Sequence, residues 1–112
     1  MTAQNIIDDF RDMANEEEGG RRWEDKTLRR LINTIVSMTV RIRPDAQLDT
    51  SGDLITITDV SANTDTVSIS DEWRSVVVDG VAWRAFRYEG GDKKDAARAA
   101  AFRDDYLTIV KV

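Results

Sequence analysis

The stretch DEWRSVVVDGVAWRAFRY, Asp71–Tyr88, decides how this chain folds. Wound as an α-helix, it distributes Trp73, Val76, Val77, Val78, Val81, Ala82, Trp83, Ala85, Phe86 and Tyr88 over nearly every face. A surface helix carries one apolar stripe, whereas a helix that is apolar all round must be enclosed by its neighbours. The spacing therefore predicts a central helix over about 72–89, capped by Asp71 and ended by Glu89, Gly90 and Gly91. Gly80 inside it costs about 1 kcal/mol relative to alanine. A close crossing with another helix is what would offset that cost.

Partners for this helix lie on both sides in sequence. Downstream, Asp92 caps a fourth helix with Ala96, Ala99, Phe102, Tyr106 and Ile109 along one face. Five alanines between 96 and 101 permit tight approach. The last residues, LTIVKV (107–112), are apolar and rich in β-branched side chains, and read as a C-terminal tail. Upstream, Leu28, Leu31, Ile32, Ile35 and Val36 recur at the three-and-four spacing of a second helix, with Trp23 packed over its start and Glu24 or Asp25 at its N-cap. Pro44 lacks an N–H and disfavours helical geometry at Arg43, so this helix ends at about Ile42. Arg41 and Arg43 then sit at its negative pole. A first, short helix carries Ile6, Ile7, Phe10 and Met13 behind Thr2 as N-cap, and the run EEEGG closes it.

Between the second and third helices the period changes from helical to alternating. LITIT (54–58) and TVSIS (66–70) flank a polar turn, which predicts an antiparallel hairpin with Ile57 near Val67 and Ile55 near Ile69. The expected fold class is α+β, mainly α: a four-helix bundle with a β-hairpin inserted between helices two and three. One domain, 1–112, is expected, with a helical core at about 3–43 and 71–109, the hairpin at 53–70 and the tail at about 107–112. The loop 44–53, the hairpin and the tail carry little local apolar contact and are expected to be mobile in the free chain.

Composition narrows the chemistry. Hydrophobic residues make up 41% of the chain and charged residues 33%, the balance of a globular domain. The chain has no cysteine and no histidine, which removes disulfides, thiolate sites, the usual proton shuttle and the commonest metal ligand. The glycines fall as pairs after charged residues, not as a phosphate-cradling loop. Asp45, Asp49, Asp53, Asp59 and Asp65 do not follow calcium-loop spacing. No enzyme, cofactor, metal or membrane association is expected, and a reducing compartment fits.

The net charge of −5 conceals segregation. Residues 1–20 carry six acids and one base, 21–43 seven bases and two acids, and 44–71 six aspartates and no base. Blocks of opposite sign suit docking between surfaces, within one chain or between copies. The basic segment 21–43 also admits a second reading, a small nucleic-acid-binding regulator, although such domains are usually net basic.

The order of these pieces resembles the head-to-tail adaptor, or neck connector, proteins of tailed bacteriophages. Trp23, Asp25, Leu28, Leu31, Pro44 and Asp45 match the family's aromatic-led helix start and its R-P-D helix end. Asp71, Trp73, Ala82, Asp92, Ala97, Arg98, Ala99, Phe102 and Tyr106 match its later acidic cap, apolar helix and alanine-rich helix. Glu24 stands where a serine or threonine is usual, and the central segment is short. The resemblance covers most of 23–110 and implies a non-catalytic virion protein. It would form a homo-oligomeric ring, commonly a dodecamer, beneath the portal protein, joining the capsid to a tail or stopper protein and extending the DNA channel. Its location would be the virion neck, and the host cytoplasm during assembly. The expected oligomer or portal contacts are Arg21, Arg22, Arg29, Arg30, Arg41, Arg43, Leu107, Ile109, Val110 and Val112.

Overall fold

A computed structural model describes residues 1–14, 22–88 and 93–111. Four α-helices form the framework: α1 (Ala3–Met13), α2 (Asp25–Ile42), α3 (Arg74–Tyr88) and α4 (Lys93–Val110). Short 3-10 turns at Pro44–Gln47 and Asp71–Trp73 flank the irregular connection between α2 and α3.

Helix ends follow local chemistry. Thr2 caps α1, accepting from the Asn5 N–H while the Asn5 side chain accepts from the Thr2 N–H, so two otherwise orphaned donors are satisfied together. Glu24 occupies the N-cap of α2 without a side-chain hydrogen bond. Trp23, buried just before it, meets Phe10 and Phe86 edge-on at centroid distances of 5.2 and 5.1 Å. Helix α2 ends at Ile42, one residue before Arg43 and two before Pro44. The predicted helix ends at 89–92 lie outside the described residues.

Helix α3 is central, as its all-round apolarity requires. Val76, Val77, Val78, Val81, Ala82, Ala85 and Phe86 are all buried. Gly80 sits at the crossing with α2: a Cβ there would lie 2.7 Å from Ile35 Cγ2 and 3.0 Å from Ile35 Cδ1. The glycine therefore sets how closely α2 and α3 approach. Helix α4 runs antiparallel to α3, with Phe102 stacked on Phe86 at 5.9 Å and Tyr106 against Trp83 at 5.9 Å.

The buried face of α4 is turned from the expected one. Asp95, Ala99, Tyr106 and Val110 are buried and Phe102 partly so, whereas Ala96 and Ile109 are exposed. Two polar contacts accompany this rotation. Arg22 makes two hydrogen bonds to the buried Asp95 carboxylate, at 3.1 and 2.5 Å. Tyr106 reaches Thr39 at 2.7 Å while Thr39 donates to the Ile35 carbonyl, so the phenol is the donor of the pair. Burial pushes the Tyr106 pKa up. Residues 107–110 of the expected tail are instead the last turn of α4, which continues to Val110.

The hairpin does not form; no strand occurs among the described residues, only isolated pairings of Thr2 with Thr66 and Leu48 with Leu54. The reason is where the backbone groups find partners. Ser68 Oγ accepts from the Thr58 N–H and donates to the Thr58 carbonyl, both at 2.9 Å. Asn33 on α2 does the same for Val60, donating at 3.1 Å and accepting at 2.8 Å. Ile55 is held by the backbone and side chain of Gln47 at 2.7 and 2.8 Å. Val67 donates to the Met1 carbonyl and Ser70 to that of Ala46. Side chains and distant loops thus supply what a ladder would have supplied. Val60, Val67 and Ile69 are buried, but so are Ser68 and Ser70, so 59–70 has apolar anchoring without the two-faced sorting of a strand.

Candidate functional site

The C-terminal half of α3 and the first two thirds of α4 border a cleft of about 450 Å³ lined by Trp83, Arg87, Tyr88, Ala96, Ala99, Ala100, Arg103 and Asp104. Its shape follows from the alanines: their small side chains leave room between helices already held together by the Phe86–Phe102 stack. Its character comes from arginines over aromatic faces. The Arg84 guanidinium lies 4.5 Å from the Tyr88 ring centroid and 5.5 Å from that of Trp83. Arg87 lies 5.6 Å from Tyr88, and Arg103 lies 5.9 Å from Trp83. Tyr88 is 57% exposed although apolar over most of its surface. Trp83 Nε1 and Arg84 Nε are buried without a hydrogen-bond partner among the described residues. A second depression behind Tyr88 adds Arg30, Leu31 and Thr34 from α2. In a chain of net charge −5, this gathers Arg30, Arg84, Arg87 and Arg103 around one exposed aromatic ring.

The other end of the bundle has the opposite character. Arg43 binds Asp45 through two hydrogen bonds of 2.9 Å, lies 5.1 Å from the Trp73 ring and reaches the Ile109 carbonyl at 3.4 Å. The hydrogen bonds from Arg43 hold the Asp45 carboxyl below its ordinary range. Beyond it the chain doubles back through 48–54. Asp49 Oδ1 accepts from the Ser51 and Asp53 N–H groups at 2.8 and 2.9 Å, and the Asp49 N–H donates to the Asp53 carbonyl at 2.9 Å. Gly52 takes the left-handed backbone, φ +82°, that closes the turn. This fixed loop presents Leu54, 70% exposed, and Leu48, 38% exposed, beside Asp49 and Asp53. Along α2, Arg30 stands near the first surface and Ile42 near the second; twelve residue steps at about 1.5 Å each place them roughly 18 Å apart.

The contact residues expected from the sequence divide into three groups. Arg22, Arg29 and Arg43 are engaged within the chain, by Asp95, by Asn63 at 2.6 Å and by Asp45. Arg30, Arg41 and Ile109 are exposed, Leu107 is half-buried and Val110 is buried. Arg30 borders the cleft region, while Arg41 lies on a separate polar depression with Asn33, Ser37, Met38 and Asp59. Arg21 and Val112 lie outside the described residues. The sequence marks Trp83 and Tyr88 only as apolar helix positions and assigns no role to Arg84, Arg87 or Arg103. The signal was present in WRAFRY (83–88), where two arginines at a three-residue spacing alternate with aromatics at a helix end.

The carboxylates held away from their ordinary pKa range lie outside the cleft lining. Burial, with a smaller contribution from Asp105, pushes the Asp79 carboxyl up. Backbone N–H groups of Ser61 and Ala62 hold Asp65 down. Among the described residues no three acidic side chains gather as a metal-binding group, and no helix is long and apolar enough to cross a membrane. What the cleft offers is recognition: flat aromatic surface bordered by guanidinium donors, suited to an apolar group flanked by negative charge.

No family model, curated protein or solved structure matches this chain. The likeness to neck connector proteins therefore rests on the order of residues quoted above.

Proposed function

We propose that the chain is a non-catalytic structural protein that assembles with copies of itself, and specifically a head-to-tail adaptor forming a ring beneath the portal of a tailed bacteriophage. In this reading it acts at the virion neck, between the portal and a tail or stopper protein, after assembly in the host cytoplasm. One observation carries the reading: a single small chain holds two exposed, chemically opposite surfaces at opposite ends of its bundle, the arginine–aromatic cleft and the aspartate–leucine loop. Surfaces so disposed favour head-to-tail contacts, which close into rings when the rotation between copies permits. The order of motifs from Trp23 to Tyr106 supports placing that assembly in the connector. The net charge of −5 suits a channel wall along which DNA slides without sticking.

Negative-stain images of the purified chain, alone and mixed with the portal protein encoded near it, test this reading. Rings with a central opening, free or seated on the portal, are expected. A chain that stays monomeric in both mixtures and leaves the portal bare overturns it. Tight, steeply salt-dependent binding to duplex DNA by that monomer would point to the regulator instead.

A further inference from the structure

Leu54 is the most exposed large apolar side chain among the described residues, at 70%. It does not stand on a loose loop. The two hydrogen bonds to Asp49 Oδ1, the Asp49–Asp53 backbone bond and the turn at Gly52 fix the segment that carries it. A fixed loop loses little conformational freedom on binding, so exposed apolar surface held this way is prepared for a partner. The partner surface has its counterpart in the same chain. The cleft between α3 and α4 supplies the exposed ring of Tyr88 above the buried Trp83, with Arg87 and Arg103 on its rim. Asp104 shares that rim, but Arg84 lies over the Tyr88 ring, so among the described residues Arg84, Arg87 and Arg103 outnumber it. The loop brings Asp49 and Asp53 beside Leu54. Apolar tip meets aromatic cleft, and aspartates meet arginines.

From this complementarity we infer that the Leu48–Leu54 loop of one copy docks in the Trp83–Tyr88 cleft of the next. The loop cannot fill the cleft of its own chain. Arg30, in the depression behind Tyr88, and Ile42, just before the loop, stand roughly 18 Å apart along α2, and the loop is tied down at Gln47–Ile55. A second copy is the occupant that carries the matching charge and shape. The contact is heterologous, so each copy gives its loop to one neighbour and its cleft to the other. This inference rests on the assembly reading and assigns its interface.

The absence of cysteine from the sequence permits a direct test. Two single variants, Leu54→Cys and Ala100→Cys, are mixed and mildly oxidised with oxidised glutathione. Leu54→Cys mixed with Thr108→Cys, an exposed site outside the cleft, is the control. The experiment is run on the free chain and on the portal mixture, with assembly scored separately by sedimentation. The expected result is a Leu54–Ala100 linked heterodimer in about tenfold excess over the control, the ratio set by roughly 1.4 kcal/mol of docking free energy. The double variant Leu54→Cys/Ala100→Cys should then give a ladder of linked multimers. If the chain assembles but Leu54 links no better to Ala100 than to Thr108, the docking inference fails and the assembly reading stands. If it neither assembles nor links in either mixture, both fall. Linkage without stable assembly supports the docking contact as a weak one.

Discussion

The bundle and the connection 44–70 are built by different means within one small domain. In the bundle, Ile6, Phe10, Leu28, Ile32, Ile35, Val77 and Val81 bury apolar surface against one another, and the helices satisfy their own backbone. In the connection, few apolar side chains are buried, and individual polar side chains satisfy the backbone one residue at a time: Asn33 for Val60, Ser68 for Thr58, Asp65 for Ser61 and Ala62, Asp49 for Ser51 and Asp53. The bundle's stability is thus spread over many contacts, whereas the connection concentrates it in a few side chains. Asn63 joins the two regions, bonding Gln4, Asp25 and Arg29 at once.

The contrast can be broken or sharpened by substitution. The largest effect is expected in the bundle: Leu28→Ala should lower global stability by about 2–5 kcal/mol through lost burial and a residual cavity. Urea unfolding followed by circular dichroism should show this as a fall in midpoint with unchanged slope. Removal of the clamp in the connection should act differently. Asn33→Ala leaves the buried Val60 N–H and carbonyl without their partner, at about 1–3 kcal/mol. Hydrogen exchange should then accelerate chiefly at residues 58–68 while amides of α3 keep their protection. Uniform acceleration across α2 and α3 would mean that the connection is an integral part of the bundle.

Two smaller effects test the bundle itself. Gly80→Ala gains about 1 kcal/mol of helix propensity but forces a Cβ against Ile35, whose branched side chain has little room to yield. Overpacking costs about 1–3 kcal/mol, so a net loss near 1 kcal/mol is expected, a fall in Tm of roughly 4–8 °C. A rise in Tm would show that the α2–α3 spacing is adjustable. The smallest effect concerns Asp79, whose carboxyl is raised by burial and by Asp105. A carboxyl with a raised folded-state pKa binds its proton more tightly in the native state. Stability therefore falls as pH rises from the unfolded value through the raised one. Asp79→Asn should then increase Tm slightly at pH 7, and the gain should vanish near pH 3, where both states are protonated. A gain independent of pH would locate the effect elsewhere.

Much of the bundle was legible in the sequence. The cap at Thr2, the stop at Pro44, the enclosure of the Val76–Phe86 part of α3 and the close approach at Gly80 each depend on a residue and its immediate neighbours along the chain. Local geometry and steric rules act over a few residues, so the amino-acid order alone determined them. The alternation in LITIT and TVSIS was misleading: Val67 and Ile69 are buried, but Ser68 and Ser70 are buried with them and no residue of 54–58 is. Which backbone groups would pair was another matter. That choice fell to Asn33, Gln47 and Ser68, and a hydrogen bond forms with whichever partner the fold brings near. The same holds for the turn of α4 that buries Asp95 under Arg22, and for the cleft that brings Arg30, Arg84, Arg87 and Arg103 around Tyr88. Those residues come from three helices, and only the packing of one helix on another, governed by shape and by burial of the whole apolar surface, could set them side by side.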